Sequence, residues 1–388
     1  MSNTVYDVIV VGAGIEGSSC AYQLAKRGQR TLLLEQYPLP HTLGSSHGAT
    51  RITRKAYPED YYTEMMMEGY KLWKEIEKES GVKIFHNCGT LYLGHIPSLD
   101  CVEAGLKKHG SPHRVLSNSA VRSEYPIFSV PDDYTGIFDH DGGILMADKA
   151  VNTVQSLFKQ NGGTLLDAQK VVEIIPGTTA TVRTDKGASF SASNIILALG
   201  PFTNKLTSKL GCTLPMRVEK ISVFYWKEKV PGMHSMESNF PCFIDRTATA
   251  GISVYGLPAY EYPGYVKVCL HKGPIVDPEE RDLDKSTWVR ERMMKYIKER
   301  QPWLHPEPSK ELTCLYTVSR DGDVILDKLP TYDNIIVAAG FSGHGFKLGP
   351  IVGKLVSDMV ITNKTPEIFK HFSIDRFAGS SEDFQSKL

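Results

Sequence analysis

The 388-residue chain has no excess of charge of either sign, with 44 lysines plus arginines against 44 aspartates plus glutamates. Without a net field it has no long-range means of collecting on nucleic acid or anionic lipid, so a small molecule is the expected partner. Its seven cysteines (Cys20, Cys88, Cys101, Cys212, Cys242, Cys269, Cys314) include no C-x-x-C pair. An odd, scattered set argues against a disulfide framework and a zinc ribbon, and fits a reducing interior compartment. The histidines lack convergent ligand spacing and H-E-x-x-H does not occur, so no metal site is expected, and no nucleophile elbow, a serine on a strand-to-helix turn, is expected either. Internal repeats and low-complexity tracts are also missing. No apolar run reaches the roughly 20 residues of a bilayer span. The apolar N-terminal stretch is broken by Asp7 and Glu16 and has no basic residue before it, so neither a signal peptide nor a membrane anchor is expected. At this length a single core gives way to two domains.

What is present begins at Tyr6, where "YDVIVVGAGIEGSSCAYQLAKRGQRTLLLEQ" reads as strand, glycine turn, helix and strand. Val8 to Val11 is the β-branched run of a strand buried on both faces. Gly12, Gly14 and Gly17 form G-x-G-x-x-G at its end: one for the tight turn, one for backbone approach to a pyrophosphate, one for helix packing. Ala21, Leu24 and Ala25 supply the buried stripe of the helix, and Gly28 ends it. The strand "TLLLE" closes on Glu35, about 20 residues on, where ribose hydroxyls are bound. This is a dinucleotide site, and its residues serve FAD and NAD equally. "SASNIILALGPFT" (Ser191 to Thr203) and "YDNIIVAAGFSGHGFKLGP" (Tyr332 to Pro350) each run an apolar strand into a glycine turn without a second full fingerprint. They read either as ordinary sheet strands or as distant parts of one nucleotide site.

Taken in order, the fingerprint, "GSSHGATRITRKAY" (Gly44 to Tyr57), "VYGLP" (Val254 to Pro258), "VKVCLH" (Val266 to His271), "CLYT" (Cys314 to Thr317) and "GFSGHGFKLGP" (Gly340 to Pro350) resemble the monomeric sarcosine oxidase family, in particular its peroxisomal sarcosine/L-pipecolate oxidase branch. The resemblance covers essentially the whole chain. It implies a two-domain α/β (α+β) protein: a discontinuous glutathione-reductase-type, Rossmann-like FAD domain (residues 1–84, 145–216 and 320–388) and a substrate domain with a mixed β-sheet (85–144 and 217–319). The implied reaction is oxidation of a secondary or cyclic amino acid (sarcosine, L-pipecolate, with L-proline a further candidate) to an imine, with O2 reduced to hydrogen peroxide.

The family's residues carry over position by position. FAD contacts are implied at Gly12, Gly14, Ile15, Gly17, Glu35 and Gln36; in the next loop at Ser45, Ser46, His47 and Arg51; at Val171 and Gly200; and at Gly340, Phe341, Gly343, His344, Gly345 and Lys347. Cys314 matches the cysteine that bonds the flavin through its 8α-methyl, although "ELTCLYT" by itself reads as a buried thiol in a strand. A positive neighbour is then expected to make that thiol reactive. Arg54 and Lys347 match the carboxylate binders, a planar fork and a point charge. By themselves Arg51, Arg54 and Lys55 read as a solvated basic run. His47 and Arg51 match positions where positive charge stabilises reduced flavin. Lys267 matches the oxygen-activating lysine, while the alternation of "YVKVCLH" reads as a solvent-facing strand residue. Tyr255, Tyr316 and His271 match substrate-pocket positions.

Three readings stay beside the oxidase: a flavin dehydrogenase that would not need Lys267, an NAD enzyme sharing only the first turn, and a non-catalytic flavoprotein. A fructosyl-amine oxidase is a relative with a longer chain. The stretch Met233 to Gly251 matches weakly, which leaves substrate choice open. A monomer is expected. The final Ser386-Lys387-Leu388 reads as a peroxisomal address, which makes the import receptor a second expected partner.

Overall fold

The computed structural model describes residues 5–249 and 252–379; the C-terminal tripeptide read as an address lies outside them. Two eight-stranded sheets organise the described chain. In the first, Val171–Ile175, Ala180–Thr184, Ser189–Leu197, Val5–Val11, Thr31–Leu34 and Thr164–Leu166 lie side by side. Tyr332–Ala339 joins Ser189–Leu197 in parallel, and Ile325–Leu329 pairs antiparallel with Tyr332–Ala339. Val5–Val11 is parallel to both its neighbours, as a strand feeding a crossover helix must be. Its residues split by parity: Val8 and Val10 pack on the helical layer, whereas Ile9 and Val11 join the core on the opposite face. That is why the run is β-branched throughout rather than alternating with polar residues.

The helix Ile15–Lys26 follows the glycine turn and lies against Gly349–Thr362 and Ala147–Gln160. The first crossing is close. A Cβ on Gly353 would stand 2.6 Å from the carbonyl carbon of Ser19, and one on Gly349 would stand 2.7 Å from Ile15. This contact sets the segment Phe346–Leu348 beside the start of the first helix.

The second sheet runs Leu304–Ser319, Met216–Glu228, Tyr265–Leu270, Ile252–Tyr262, Cys242–Thr249, Thr90–His95, Tyr134–Asp139 and His113–Leu116. All its pairings are antiparallel except Cys242–Thr249 with Thr90–His95, so the sheet is mixed, as the resemblance implied. One face packs on the helix Trp288–Arg300 through Trp226, Val266, Val268, Leu270 and Met293. The other face looks at the nucleotide turn. A third sheet of three strands, Thr50–Thr53, Gly143–Met146 and Phe85–Asn87, draws on both sides of the expected joints near 84 and 145.

Candidate active site

A cavity of roughly 750 Å³ runs from Glu35 and Gln36 past the glycine turn to Tyr255 and His271 on the second sheet. At the nucleotide end, Gly12 has φ +104°, and a Cβ there would meet the Ala198 carbonyl oxygen at 2.3 Å. Glu35 accepts from Ala13 N at 2.9 Å and from Tyr37 N at 3.1 Å, so its carboxylate braces the turn as well as lining the cavity. Gly14 caps the helix, and Ser46 Oγ accepts from Ile15 N at 3.0 Å. A bare backbone cradle, a helix N-terminus and an acid at the end of the second strand fit a dinucleotide.

Gly17 and Gly340, assigned above to cofactor contact, do not line this cavity. A Cβ on Gly17 would sit 1.9 Å from Gly12 O, so its bareness serves the packing of helix on strand. Gly340 turns the chain at φ +62° with Ile325 and Ser319 against it. Gly17→Ala is therefore expected to abolish the dinucleotide turn, yielding protein without bound flavin or no soluble protein. A yellow, normally folded Gly17→Ala variant would contradict the geometry.

The loop 44–49 folds over the cavity because Arg51 gathers its carbonyls. The guanidinium donates to Ser45 O (2.9 Å), His47 O (2.6 Å) and Thr50 O (2.8 Å). The same group reaches Cys314 Sγ at 4.0 Å, the positive neighbour that sequence reasoning expected but did not identify. Cys314 is buried on Leu304–Ser319, opposite Ile221, and Tyr316 follows it on the same face. Burial, with Arg51 beside it, pushes the His47 imidazole down to about 4. His47 is neutral at pH 7, so the positive charge expected of this pair comes from Arg51.

At the far end two cations converge. Arg54, 2% exposed, donates to Tyr92 OH at 2.9 Å and to Ala56 O, and lies 4.0 Å from the Tyr57 ring centroid. This disposes of a solvated basic run: Lys55 turns away to Asp141, while Arg54 faces inward. Lys347, 5% exposed, donates to His344 O at 2.9 Å and stands 5.6 Å from the same ring. Trp73 Nε1 holds the Lys347 carbonyl at 3.0 Å. Burial, reinforced by Arg54, pushes the Lys347 ammonium well down. An anion between the two groups reverses that push. Around them His271 is pushed by burial and the two cations to about 3, and burial lowers His344 as well. Tyr255 and Tyr316 share a hydroxyl contact of 3.5 Å, and the His271 ring lies 5.0 Å from that of Tyr316.

Lys267 is buried rather than solvent-facing. Its Nζ pairs with Glu261 Oε1 at 2.9 Å and touches Thr50 O at 3.3 Å. Glu261 also accepts from Thr50 Oγ1 and from Tyr225 OH, the latter at 2.6 Å. Although burial opposes ionisation, Lys267 and these donors hold the Glu261 carboxyl below its ordinary value.

Sequence reasoning missed Glu261, and it passed over Glu16 and Tyr57. Glu261 carries no local signal, because it meets Lys267 only across the hairpin of Ile252–Tyr262 and Tyr265–Leu270. Glu16 lines the cavity with neither carboxyl oxygen partnered among the described residues, and burial raises it well above the carboxylate range against the pull of Lys347. An acid in the apolar start of a Rossmann helix is the signal that could have marked it. Ile15, Ser45, Val171, Gly200, Phe341, Gly343 and Gly345 all reach the cavity wall. In the stretch 233–251, Ile244 reaches it, and residues 250 and 251 lie outside the described residues.

The family described as FAD dependent oxidoreductase matches residues 7–359. Peroxisomal sarcosine oxidase of Mus musculus is 42% identical over 382 residues, covering 97% of each chain. The Homo sapiens protein of that name is 41% identical over 378 residues, covering 96% of each. The solved structure of NikD, described as an unusual amino acid oxidase essential for nikkomycin biosynthesis, aligns with a TM-score of 0.82 over 95% of this chain and 97% of its own. At 24% identity that likeness speaks for the fold. The glycine cradle fits the FAD on which this family depends. A match over most of the length, with such identity to two relatives along nearly all of it, means that the chain belongs to the FAD dependent oxidoreductases, among the sarcosine oxidases.

Proposed function

We propose that this protein is an FAD-dependent oxidase of secondary and cyclic amino acids, with sarcosine and L-pipecolate as its candidate substrates and L-proline a further one. The observation that carries the reading is the pair of buried cations, Arg54 and Lys347, facing one end of the flavin cavity, whose hydrogen-bond partners among the described residues are neutral. Such a pair binds one carboxylate, by a fork and a point charge, and so fixes the position of the carbon next to it.

FAD, when bound, accepts the hydride equivalent from the carbon beside nitrogen and delivers the electrons to O2, giving hydrogen peroxide. Arg54 and Lys347 orient the substrate; Tyr255, Tyr316 and His271 close its amine end. Because burial keeps His271 neutral, its ring does not repel the amine and can accept a hydrogen bond from it. Lys267, held by Glu261 and Thr50, sets a positive charge where reduction of O2 develops a negative one. Cys314 is the proposed covalent tether of the flavin. The protein is read as a working monomer, with the domain division near residues 84, 145, 217 and 320. Peroxisomal location, through the import receptor, rests on the terminal Ser386-Lys387-Leu388 and on the names of the mouse and human relatives.

The test is a panel of sarcosine, L-pipecolate and L-proline with peroxide as readout, combined with stopped-flow reoxidation in air. Lys267→Gln is expected to leave reduction by the amine largely intact and to slow reoxidation by roughly 10²- to 10³-fold, the usual loss on removing a preorganised electrostatic group. A wild-type flavin that stays reduced in air for minutes would mean a dehydrogenase.

A further inference from the structure

Two cysteines that the active site does not use, 154 positions apart in the chain, stand with their sulfurs 3.8 Å apart. Cys88 lies in the turn between Phe85–Asn87 and Thr90–His95; Cys242 opens the strand Cys242–Thr249. The backbone holds the two together. Cys242 N donates to Gly89 O at 3.1 Å, and Cys242 is in parallel register with Thr90. Gly89 makes the turn at φ +72°, with the Phe138 ring where a Cβ would be.

We propose that Cys88 and Cys242 are a peroxide-oxidisable dithiol, which closes to a disulfide when the enzyme meets hydrogen peroxide. Sulfurs in contact need less than about 2 Å of approach to reach bonding distance, which side-chain rotation supplies. The two thiols differ as an attacking and a resolving thiol must. Cys88 is partly exposed, and the contact from Cys242 holds its thiol below the ordinary value. Cys242 is fully buried, and burial pushes its thiol up. Burial also raises Cys20, Cys212 and Cys269.

The chemistry has two steps. The Cys88 thiolate attacks one peroxide oxygen, the O–O bond breaks, and sulfenic acid and hydroxide form. The Cys242 sulfur then displaces water from the sulfenic sulfur as its own proton is lost. In sum, two thiols and one H2O2 give one disulfide and two waters. The enzyme as its own source of peroxide rests on the oxidase reading above. The bond would be felt at the site, since Cys242 packs with Leu257, Ile52 and Tyr255, which line the cavity.

The experiment treats the reduced holoenzyme with a small excess of hydrogen peroxide, and separately with sarcosine in air with and without catalase. Alkylation, digestion and mass spectrometry follow. A cross-linked Cys88–Cys242 peptide pair, two hydrogens lighter than its parts, is expected, with two free thiols lost. Cys88→Ser should abolish it, and Cys242→Ala should leave a sulfenic acid on Cys88 that dimedone captures. The proposal is overturned if added peroxide modifies exposed Cys101 while Cys88 and Cys242 both still alkylate. A bond that forms with added peroxide but not with sarcosine, L-pipecolate or L-proline in air supports the dithiol and refutes the oxidase reading instead.

Discussion

Cys314→Ser is expected to release all of its FAD on acid denaturation, whereas wild-type protein stays yellow and carries the added FAD mass on the peptide containing Cys314. The outcome is all or none, because a hydroxyl is too weak a nucleophile to form the corresponding link. Bond formation needs a thiolate, and a neighbouring guanidinium is a recognised way to favour one. Arg51 is placed for that task 4.0 Å from Sγ, and it is kept there by the carbonyls of Ser45, His47 and Thr50. Arg51→Met should therefore lower the covalent fraction without touching the sulfur itself. FAD that dissociates from denatured wild type, or that remains on the Cys314→Ser chain, would sink the tether.

The second large effect is at the carboxylate clamp. Arg54→Met is expected to lower kcat/KM for sarcosine by roughly 30- to 4,000-fold, because removing one partner of a buried charge pair costs about 2–5 kcal/mol and each 1.4 kcal/mol is about tenfold. Arg54→Lys should recover part of the loss, since it restores the charge without the fork. Both variants are expected to fold, because Tyr92 OH, which donates to Ala56 O at 2.9 Å beside the arginine, remains to satisfy that carbonyl. The control is an N-methylated amine without a carboxylate. If its kcat/KM falls as far as that of sarcosine, Arg54 is a packing residue and the clamp is wrong.

The parts of this protein legible in its sequence were those whose physics is local. The glycine turn, its flanking strand and helix, and Glu35 lie in one continuous stretch of the chain, and the glycines answer to steric demands seen in the fold at Gly12 and Gly17. Family resemblance located the residues around the cavity, yet could not say why they act. Strand parity shows the difference. "YVKVCLH" does alternate: Val266, Val268 and Leu270 enter the core, so Lys267 and His271 face the other way. Sequence alone takes that second face for a solvent face. In the fold it is covered by the nucleotide-binding half of the chain, which turns a strand lysine into a buried cation paired with Glu261.

The chain order and periodicity thus determined the N-terminal strand, helix and second strand and the dinucleotide turn between them by themselves. Only the tertiary structure decided what each strand face meets, and chemistry at this site depends on those meetings. Arg54 and Lys347 flank one tyrosine ring from opposite ends of the chain, Arg51 reaches Cys314 across more than half of it, and Cys88 touches Cys242 with no motif to announce it. Periodicity reports which way a side chain points, whereas a reactive group is made by its partners and its burial, and these are set by packing between segments distant in sequence.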